Sequence, residues 1–289
     1  RYSDGSHVRT IGSAGTGNGQ FKYPSSVAVD GSGNMFVRDD GRIQVFRVSD
    51  GAHVRTMCSK GSGPGQLAGC HGGVAFDGQG NVVVVDGDND RVQVLRCSDG
   101  AHVRTIGSQG SGAGQFNYPT GVALDGAGNM VVADTDNHRV QVLRYSDGSH
   151  VRTIGSAGSA NGQFNYPSSV AVDGSGNMFV RDDGRIQVFR VSDGAHVRTM
   201  CSKGSGPGQL GGSWGGVAFD GQGNVVVADG SNDRVQVLRC SDGAHVRTIG
   251  SEGSGAGQFN SPYGVALDSA GNIVVADGGN DRVQVLRYS

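Results

Sequence analysis

The chain carries eight histidines, five cysteines and 26 acidic residues, of which only Glu252 is a glutamate. Six of the histidines, His7, His53, His102, His150, His196 and His245, stand in a recurring His-Val-Arg-Thr segment. A zinc ion needs its nitrogen ligands about 2.0–2.1 Å away, all around one point. Histidines dealt one to a repeat cannot converge in that way, and they read as structural. Aspartates recur in Val-Ala-x-Asp and Val-Ala-Asp segments. Paired carboxylates suit acid–base chemistry, but a short acceptor beside turn amides and a repeated arginine is the simpler role. Only His71 and His138 fall outside the refrain.

The other chemical signals fade in the same way. Cys58, Cys70, Cys97, Cys201 and Cys240 are odd in number and lack a Cys-x-x-Cys pair. Neither a disulfide framework nor a zinc site follows from them, and free thiols favour a reducing compartment. Glycine-rich runs such as Gly15-Thr16-Gly17-Asn18-Gly19 superficially echo phosphate-binding loops. A dinucleotide fingerprint requires a helix after the loop, whereas a strand pattern follows here. Asp86-x-Asp88-x-Asp90 matches half a calcium loop, with Arg91 where the glycine belongs and Cys97 in place of the bidentate glutamate. At most a weak surface calcium site is expected there. No Ser-His-Asp or Cys-His arrangement stands out. The expectation is therefore no catalytic residue, no resident metal and no cofactor.

The elements that would position any site come from one repeated sentence. Copies begin at Arg1, Arg47, Arg96, Arg144, Arg190 and Arg239, spaced by 46, 49, 48, 46, 49 and 48 residues, the last measured to Arg287. A period of this size marks a solenoid or a propeller. In the third copy, Pro119 suits a strand entry because it cannot donate to a ladder, and Val122-Ala123-Leu124-Asp125 follows. Gly126–Asn129 is turn chemistry. Met130–Asp134 is nearly all apolar, as for a strand covered on both faces. A polar loop leads to the alternating Arg139–Arg144, and Ser146-Asp147-Gly148 turns the chain into the polar strand His150–Ile154. Four antiparallel strands running from buried to wet make one propeller blade.

Composition agrees. Glycine contributes 53 of 289 residues, and lysine occurs only at positions 22, 60 and 203. Turn formers abound and helix formers are scarce, so the reading is all-β. The net charge of −2 comes from interleaved Arg and Asp, which gives no long-range field to recruit nucleic acid or an anionic membrane. No apolar run is long enough for a membrane helix, no targeting stretch is visible, and no Asn-x-Ser/Thr acceptor occurs.

The pattern Pro-x-Gly-Val-Ala-x-Asp, Gly-Asn-x-x-Val-Ala-Asp, x-Asn-x-Arg-Val-Gln-Val stands at Pro119–Val142 and Pro262–Val285, with weaker versions in the other four copies. It resembles the NHL repeat. The resemblance implies a six-bladed β-propeller, here one unit over 1–289. Its members include domains that bind single-stranded RNA on a basic top face and a metal-dependent lyase acting on peptide hydroxyglycines. The chain opens with an orphan fourth strand, His7–Ile11, and ends on a third strand. Residues 1–12 should therefore complete the last blade and leave no open sheet edge.

A residue present in all copies holds blades together, so only the exceptions can mark a site. Residues 1–143 and 144–286 align without a gap and differ at positions 16, 17, 22, 68, 70, 71, 85, 88, 109, 118, 120, 126, 130, 135, 136 and 138. A three-blade unit has thus been duplicated, and the ring should be pseudo-twofold symmetric. Most differences fall in the loop entering the first strand and the loop between the second and third, both on the conventional top face, where loops carry variation and function. Lys22 faces Asn165 in the alignment, His71 faces Trp214 (the one tryptophan), and Thr120 faces Tyr263. The first and fourth copies share another departure, Arg38 and Arg181 in place of Ala before a shortened loop. These guanidiniums are expected near the rim, in a salt bridge with the neighbouring Asp or gripping an anion. Tyr23, Tyr118 and Tyr166 complete the aromatic rim. The candidate binding residues are accordingly Lys22, Tyr23, Arg38, His71, Tyr118, His138, Tyr166, Arg181, Trp214 and Tyr263.

The leading expectation is a non-enzymatic, monomeric binding scaffold that engages a protein, peptide or glycan on this face. A recently amplified or designed propeller with no evolved ligand is an alternative. RNA binding ranks lower because lysine is nearly absent. A lyase-like enzyme would need a metal cluster for which only His71 and His138 are spare.

Overall fold

In a computed structural model that describes residues 5–212 and 214–288, six four-stranded antiparallel sheets follow one another along the chain. The first blade comprises Ser26–Val29, Asn34–Asp39, Arg42–Arg47 and His53–Met57. The second is Val74–Phe76, Asn81–Asp86, Arg91–Arg96 and His102–Ile106, and the third Pro119–Leu124, Asn129–Asp134, Arg139–Arg144 and His150–Ile154. The fourth and fifth repeat this plan at Ser169–Met200 and Val217–Ile249. The sixth takes Pro262–Leu267, Ile273–Asp277 and Arg282–Leu286 from the end of the chain and His7–Ile11 from its beginning.

The sequence gradient sets the burial gradient. Val82–Val85 of a second strand are all fully buried, which uses both faces of a continuous apolar run. The outer His53–Met57 strand alternates exposed and half-buried residues, ending on buried Met57. The core lies between blades rather than within them. Phe36, Ile43 and Val45 of the first blade, for example, pack against Val74, Val82, Val84 and Leu95 of the second. Each first-to-second-strand turn is fixed by an aspartate: Asp30 Oδ1 accepts from Ser32 N (2.9 Å) and Asn34 N (2.8 Å), and Asn34 Nδ2 donates to Oδ2 at 3.0 Å.

The ring closes as the strand inventory requires. His7 pairs with Leu286, Arg9 with Val285 and Ile11 with Val283. Of the segment 1–12, residues 1–4 lie outside the described residues. Arg9 Nη1 then donates to Val48 O of the first blade at 2.7 Å. The outer-strand arginine of every other blade does the same across its own junction, Arg152 to Val191 O at 2.8 Å and Arg247 to Tyr288 O at 2.9 Å among them. The N-terminal strand therefore closes both a sheet and a circle of interblade staples. No helix among the described residues is long and apolar enough to cross a membrane.

Candidate functional site

The repeated aspartate of the second strand is structural, and its geometry says why. Asp86 is fully buried. It accepts from Arg91 Nε at 2.8 Å, Gln93 Nε2 at 3.2 Å and the loop amide of Ala68 at 2.9 Å. Asp39, Asp134, Asp182, Asp229 and Asp277 each take the same amide, arginine and glutamine donors in their own blades. The six refrain histidines are equally occupied: each ring Nε2 lies 2.8–3.1 Å from the threonine hydroxyl three residues on. The glycine-rich loops hold no vacant phosphate cradle. Gly61, at φ +153°, is covered by the Gln66 side chain, whose Oε1 stands 2.4 Å from where a Cβ would be. The Asp86, Asp88 and Asp90 carboxylates do not converge on a cation, because Asp86 faces inward and Asp90 Oδ1 accepts from Tyr118 N at 2.7 Å. Among the described residues no three His, Cys, Asp or Glu side chains group as metal ligands.

With the refrain accounted for, the top face stands out. A first strand's opening residue pairs with the end of the second (Pro119 with Asp134, Ser26 with Arg38), so the two variable loops of every blade meet at one end. Between the blades runs a central channel of about 120 Å³. Its walls are the openings of the six first strands, with Val27, Val74, Val122, Val170, Val217 and Val265 forming an apolar ring. Above them the backbones nearly touch. A Cβ on Gly121 would lie 2.9 Å from Ser169 Cα, and one on Gly264 would lie 2.8 Å from Ser26 Cα. Ser26, Gly73, Gly121, Ser169, Gly216 and Gly264 stand at these six positions, so all are glycine or serine.

The departures from the duplication gather over this constriction. The His71 ring centroid lies 6.2 Å from that of Trp214, its counterpart in the other half, and 6.4 and 6.5 Å from those of Tyr118 and Tyr263. Two positions related by the pseudo-twofold thus meet across the channel mouth. Tyr118 Oη sits 3.2 Å from His71 Nδ1 and Cys70 Sγ at 3.6 Å. Trp214 remains 39% exposed. Burial pushes the His71 pKa below its ordinary value and those of Tyr118, Tyr263 and the Cys70 thiol above theirs. At neutral pH the mouth is lined by uncharged rings and an unreactive thiol.

Two differences prove to be one exchange. In the first half Thr120 and Thr135 share a hydrogen bond of 2.6 Å, and they reach Ser168 O and Pro167 O at 2.8 Å each. In the second half Tyr263 replaces Thr120 and Gly278 replaces Thr135. A Cβ on Gly278 would stand 2.7 Å from Tyr263 Cδ2. The tyrosine ring occupies space that the loss of the threonine vacates.

The remaining expected rim residues divide between mouth and scaffold. Tyr23 and Tyr166 are exposed (57% and 46%) but their backbones serve as clasps. Tyr23 N donates to Asp281 Oδ1 at 2.8 Å, and Tyr166 N to His138 Nδ1 at 3.3 Å, with the two rings of the latter pair 4.6 Å apart. Each acceptor is the left-handed residue ending a short 3-10 turn of the preceding blade. Lys22 pairs with Asp40 at 3.4 Å on the outer part of the face.

Arg38 and Arg181 are not on the rim. Both are fully buried. Arg38 donates to Val85 O (2.8 Å) and Ala68 O (2.9 Å), and Arg181 to Ala228 O (2.5 Å) and Gly211 O (3.0 Å), all in the next blade. Arg181 lies 3.6 Å from Asp229 rather than from its neighbouring Asp182. Their blades have the shortened loop and lack the 3-10 turn that provides the clasp elsewhere, so the long side chain spans the junction instead. Burial lowers both guanidinium pKa values, that of Arg181 to about 10.

Sequence reasoning named Thr120 only as the counterpart of Tyr263 and Asp88 only as part of a half calcium loop, and gave no role to Thr135, Gly278 or Asp136, although these positions were among the sixteen differences. The missing signal was adjacency across a blade junction, which alignment of halves does not supply.

Six radial four-stranded sheets around a channel, closed by the first strand of the chain, define a six-bladed β-propeller. The NHL repeat model matches residues 116–143 and 259–286, in the third and sixth blades. The chain is similar in fold to a structural-genomics protein of unknown function from Bacteroides thetaiotaomicron VPI-5482, with a TM-score of 0.72 at 19% identity over 97% of this chain and 76% of that one. No curated protein matches the sequence.

Proposed function

We propose that the chain is a non-enzymatic binding scaffold that engages a protein, peptide or glycan at the top mouth of its channel. The observation that carries this reading is the meeting of His71, Tyr118, Trp214 and Tyr263 over a constriction otherwise built from glycine, serine, valine and Thr120. Large rings with polar tips at a partly exposed concavity are what interfaces use as anchors. His71, Trp214 and Tyr263 fall at positions where the two halves differ and the copies share no aromatic, whereas Tyr118 keeps the tyrosine of Tyr23 and Tyr166. The scaffold reading also agrees with the chemistry of the mouth, where the Cys70 thiol stays protonated and the refrain carboxylates are bound to arginine.

The test is selection against immobilised protein from a random peptide library and a glycan array, followed by footprinting of selected ligands by hydrogen exchange. Protection is expected in segments 68–74, 117–122 and 211–217, and Trp214→Ala should weaken the selected ligand at least tenfold, about 1.4 kcal/mol. A footprint confined to the outer strands, with Trp214→Ala silent, overturns the assignment. A steep salt slope in filter binding with single-stranded RNA, or one tightly held metal ion per purified chain, favours the corresponding alternative.

A further inference from the structure

The mouth departs from twofold symmetry in charge as well as in shape. Asp88 and Asp136 sit on the 3-10 turns Gly87–Asn89 and Thr135–Asn137, whereas Ser231 and Gly279 hold the equivalent places in the other half. Both aspartates are exposed. The Asp88 carboxylate projects over Gly69, 1.8 Å from where a Cβ on that glycine would be, and acts electrostatically on both His71 and Tyr118. Asp136 acts on Tyr118 as well.

Other aspartates of this face have partners. The six refrain carboxylates hold arginine, Asp40 holds Lys22 and Lys60, Asp183 holds Lys203, and Asp90, Asp233 and Asp281 accept clasp amides. Asp88 and Asp136 take no ion pair and accept no hydrogen bond among the described residues. Two carboxylates without a hydrogen-bonded partner therefore stand near His71 and Tyr118, with the buried Arg38 guanidinium acting on Asp88 and His138 on Asp136, while Trp214 and Tyr263 complete the ring cluster around His71. Burial keeps the His71 ring neutral at pH 7, so it adds no competing charge.

An anion meets these carboxylates, while the Arg38 guanidinium beneath Gly72 is buried and spends its N–H groups on Val85 O and Ala68 O, and a neutral apolar group leaves the carboxylates unused. A cation on an apolar stem uses both sides. Its methylenes lie against the indole and phenol faces, its charge is attracted by ring quadrupoles, and its N–H groups reach carboxylate oxygens. Resting on the reading of the mouth as the docking site, we propose that it recognises an alkylammonium group, from a lysine side chain of a peptide or from a free amine. Asp88 and Asp136 supply the counter-charge, and Trp214 and Tyr263 the aromatic wall.

The probes are n-butylammonium, an end-blocked lysine-containing pentapeptide, the neutral n-pentanol and butyrate, each titrated against the full chain by calorimetry and by Trp214 fluorescence at low and high salt. Saturable binding of the amine, the peptide or both is expected, weakening with salt, with pentanol and butyrate much weaker. Asp88→Ser and Asp136→Gly import residues that the other half already tolerates at these places, so the fold is kept. Each should weaken amine binding by up to roughly fivefold, the range of a solvent-accessible ion pair, and the double variant by more. Peptide binding tighter than n-butylammonium assigns the source to a lysine side chain; the reverse assigns it to a free amine. Absence of saturable binding by either amine, equal binding of pentanol, or an unchanged double variant overturns the proposal. If pentanol or butyrate binds and Trp214→Ala abolishes it, the docking reading survives without the ammonium. If amine binding is indifferent to Trp214→Ala, both fail.

Discussion

Gly278→Thr should destabilise the propeller, and a second change at Tyr263 should restore it. The added Cβ would stand 2.7 Å from Tyr263 Cδ2 and 3.2 Å from Pro24 O, inside van der Waals contact. Overpacking of this kind costs about 1–3 kcal/mol. Tyr263→Thr alone gives up the apolar contact of a half-buried ring, about 1 kcal/mol. The double variant reproduces the Thr120–Thr135 arrangement, whose hydroxyls are 2.6 Å apart and reach backbone carbonyls of the next blade. It should lie within about 1 kcal/mol of the parent, giving a coupling energy of at least about 1 kcal/mol. The four proteins would be compared by urea denaturation followed by circular dichroism and Trp214 fluorescence, and by calorimetry. At roughly 2–4 °C per kcal/mol, Gly278→Thr should melt visibly below the other three. Additive losses, or a parent-like Gly278→Thr, would refute the claim that these two differences form one compensated exchange.

Further outcomes follow from the junctions. His138→Asp should stabilise by about 1 kcal/mol, because a carboxylate acceptor makes a stronger bond to the Tyr166 amide and Asp holds the left-handed backbone in the other three clasps; a lower melting temperature contradicts the clasp. Arg38→Ala leaves Val85 O and Ala68 O without donors and opens a cavity, so a loss of about 3 kcal/mol is expected, with Arg38→Met less damaging; parent-like melting of Arg38→Ala places the junction strength elsewhere. Removing residues 1–12 deletes the outer strand and the Arg9 staple, and a fall of roughly 10 °C or more is expected; an unchanged melting temperature rejects closure by the N-terminus. Acidification supplies the fifth outcome. Backbone amides two residues on hold the Asp50, Asp99, Asp193 and Asp242 carboxyls below their ordinary values, as does the Lys60 ammonium for Asp40. A depressed folded-state pKa gives stability that is present above the unfolded value of about 3.9 and lost as pH falls through the folded one. Burial raises Asp39 and Asp182 and works the other way, but the depressed groups are more numerous. Melting temperature should therefore drop below about pH 4, and a flat profile to pH 2 refutes the assignment.

The architecture was legible because every blade states it again. The 46–49-residue period, the all-apolar second strand and the orphan His7–Ile11 strand dictate blade order and closure without tertiary information. The site was legible only in outline. Comparison of the halves pointed to loops at one end of the ring, and His71, Trp214 and Tyr263 come together there. Arg38 and Arg181 show where such reading stops. An arginine replacing alanine beside a shortened loop looks like surface chemistry, yet the shortened loop removes a clasp that the side chain then replaces inside the junction. That trade depends on distances between blades, which a linear pattern does not contain. Asp88 and Asp136 were hidden for a related reason: the sequence is full of aspartates, and only the fold shows which of them make no hydrogen bond or ion pair among the described residues.

The measurement that bears most directly on the mouth as docking site is a symmetrised chain. Trp214→His, Ser231→Asp, Ser261→Tyr, Tyr263→Thr, Gly278→Thr, Gly279→Asp and Asp281→His would give the second half the ring, threonine, carboxylate and clasp residues of the first. Its far-ultraviolet dichroism and melting should stay close to those of the parent, while its affinity for a peptide or glycan selected against the parent should fall by at least tenfold, about 1.4 kcal/mol. Full retention of that affinity in a folded symmetrised chain would contradict the account.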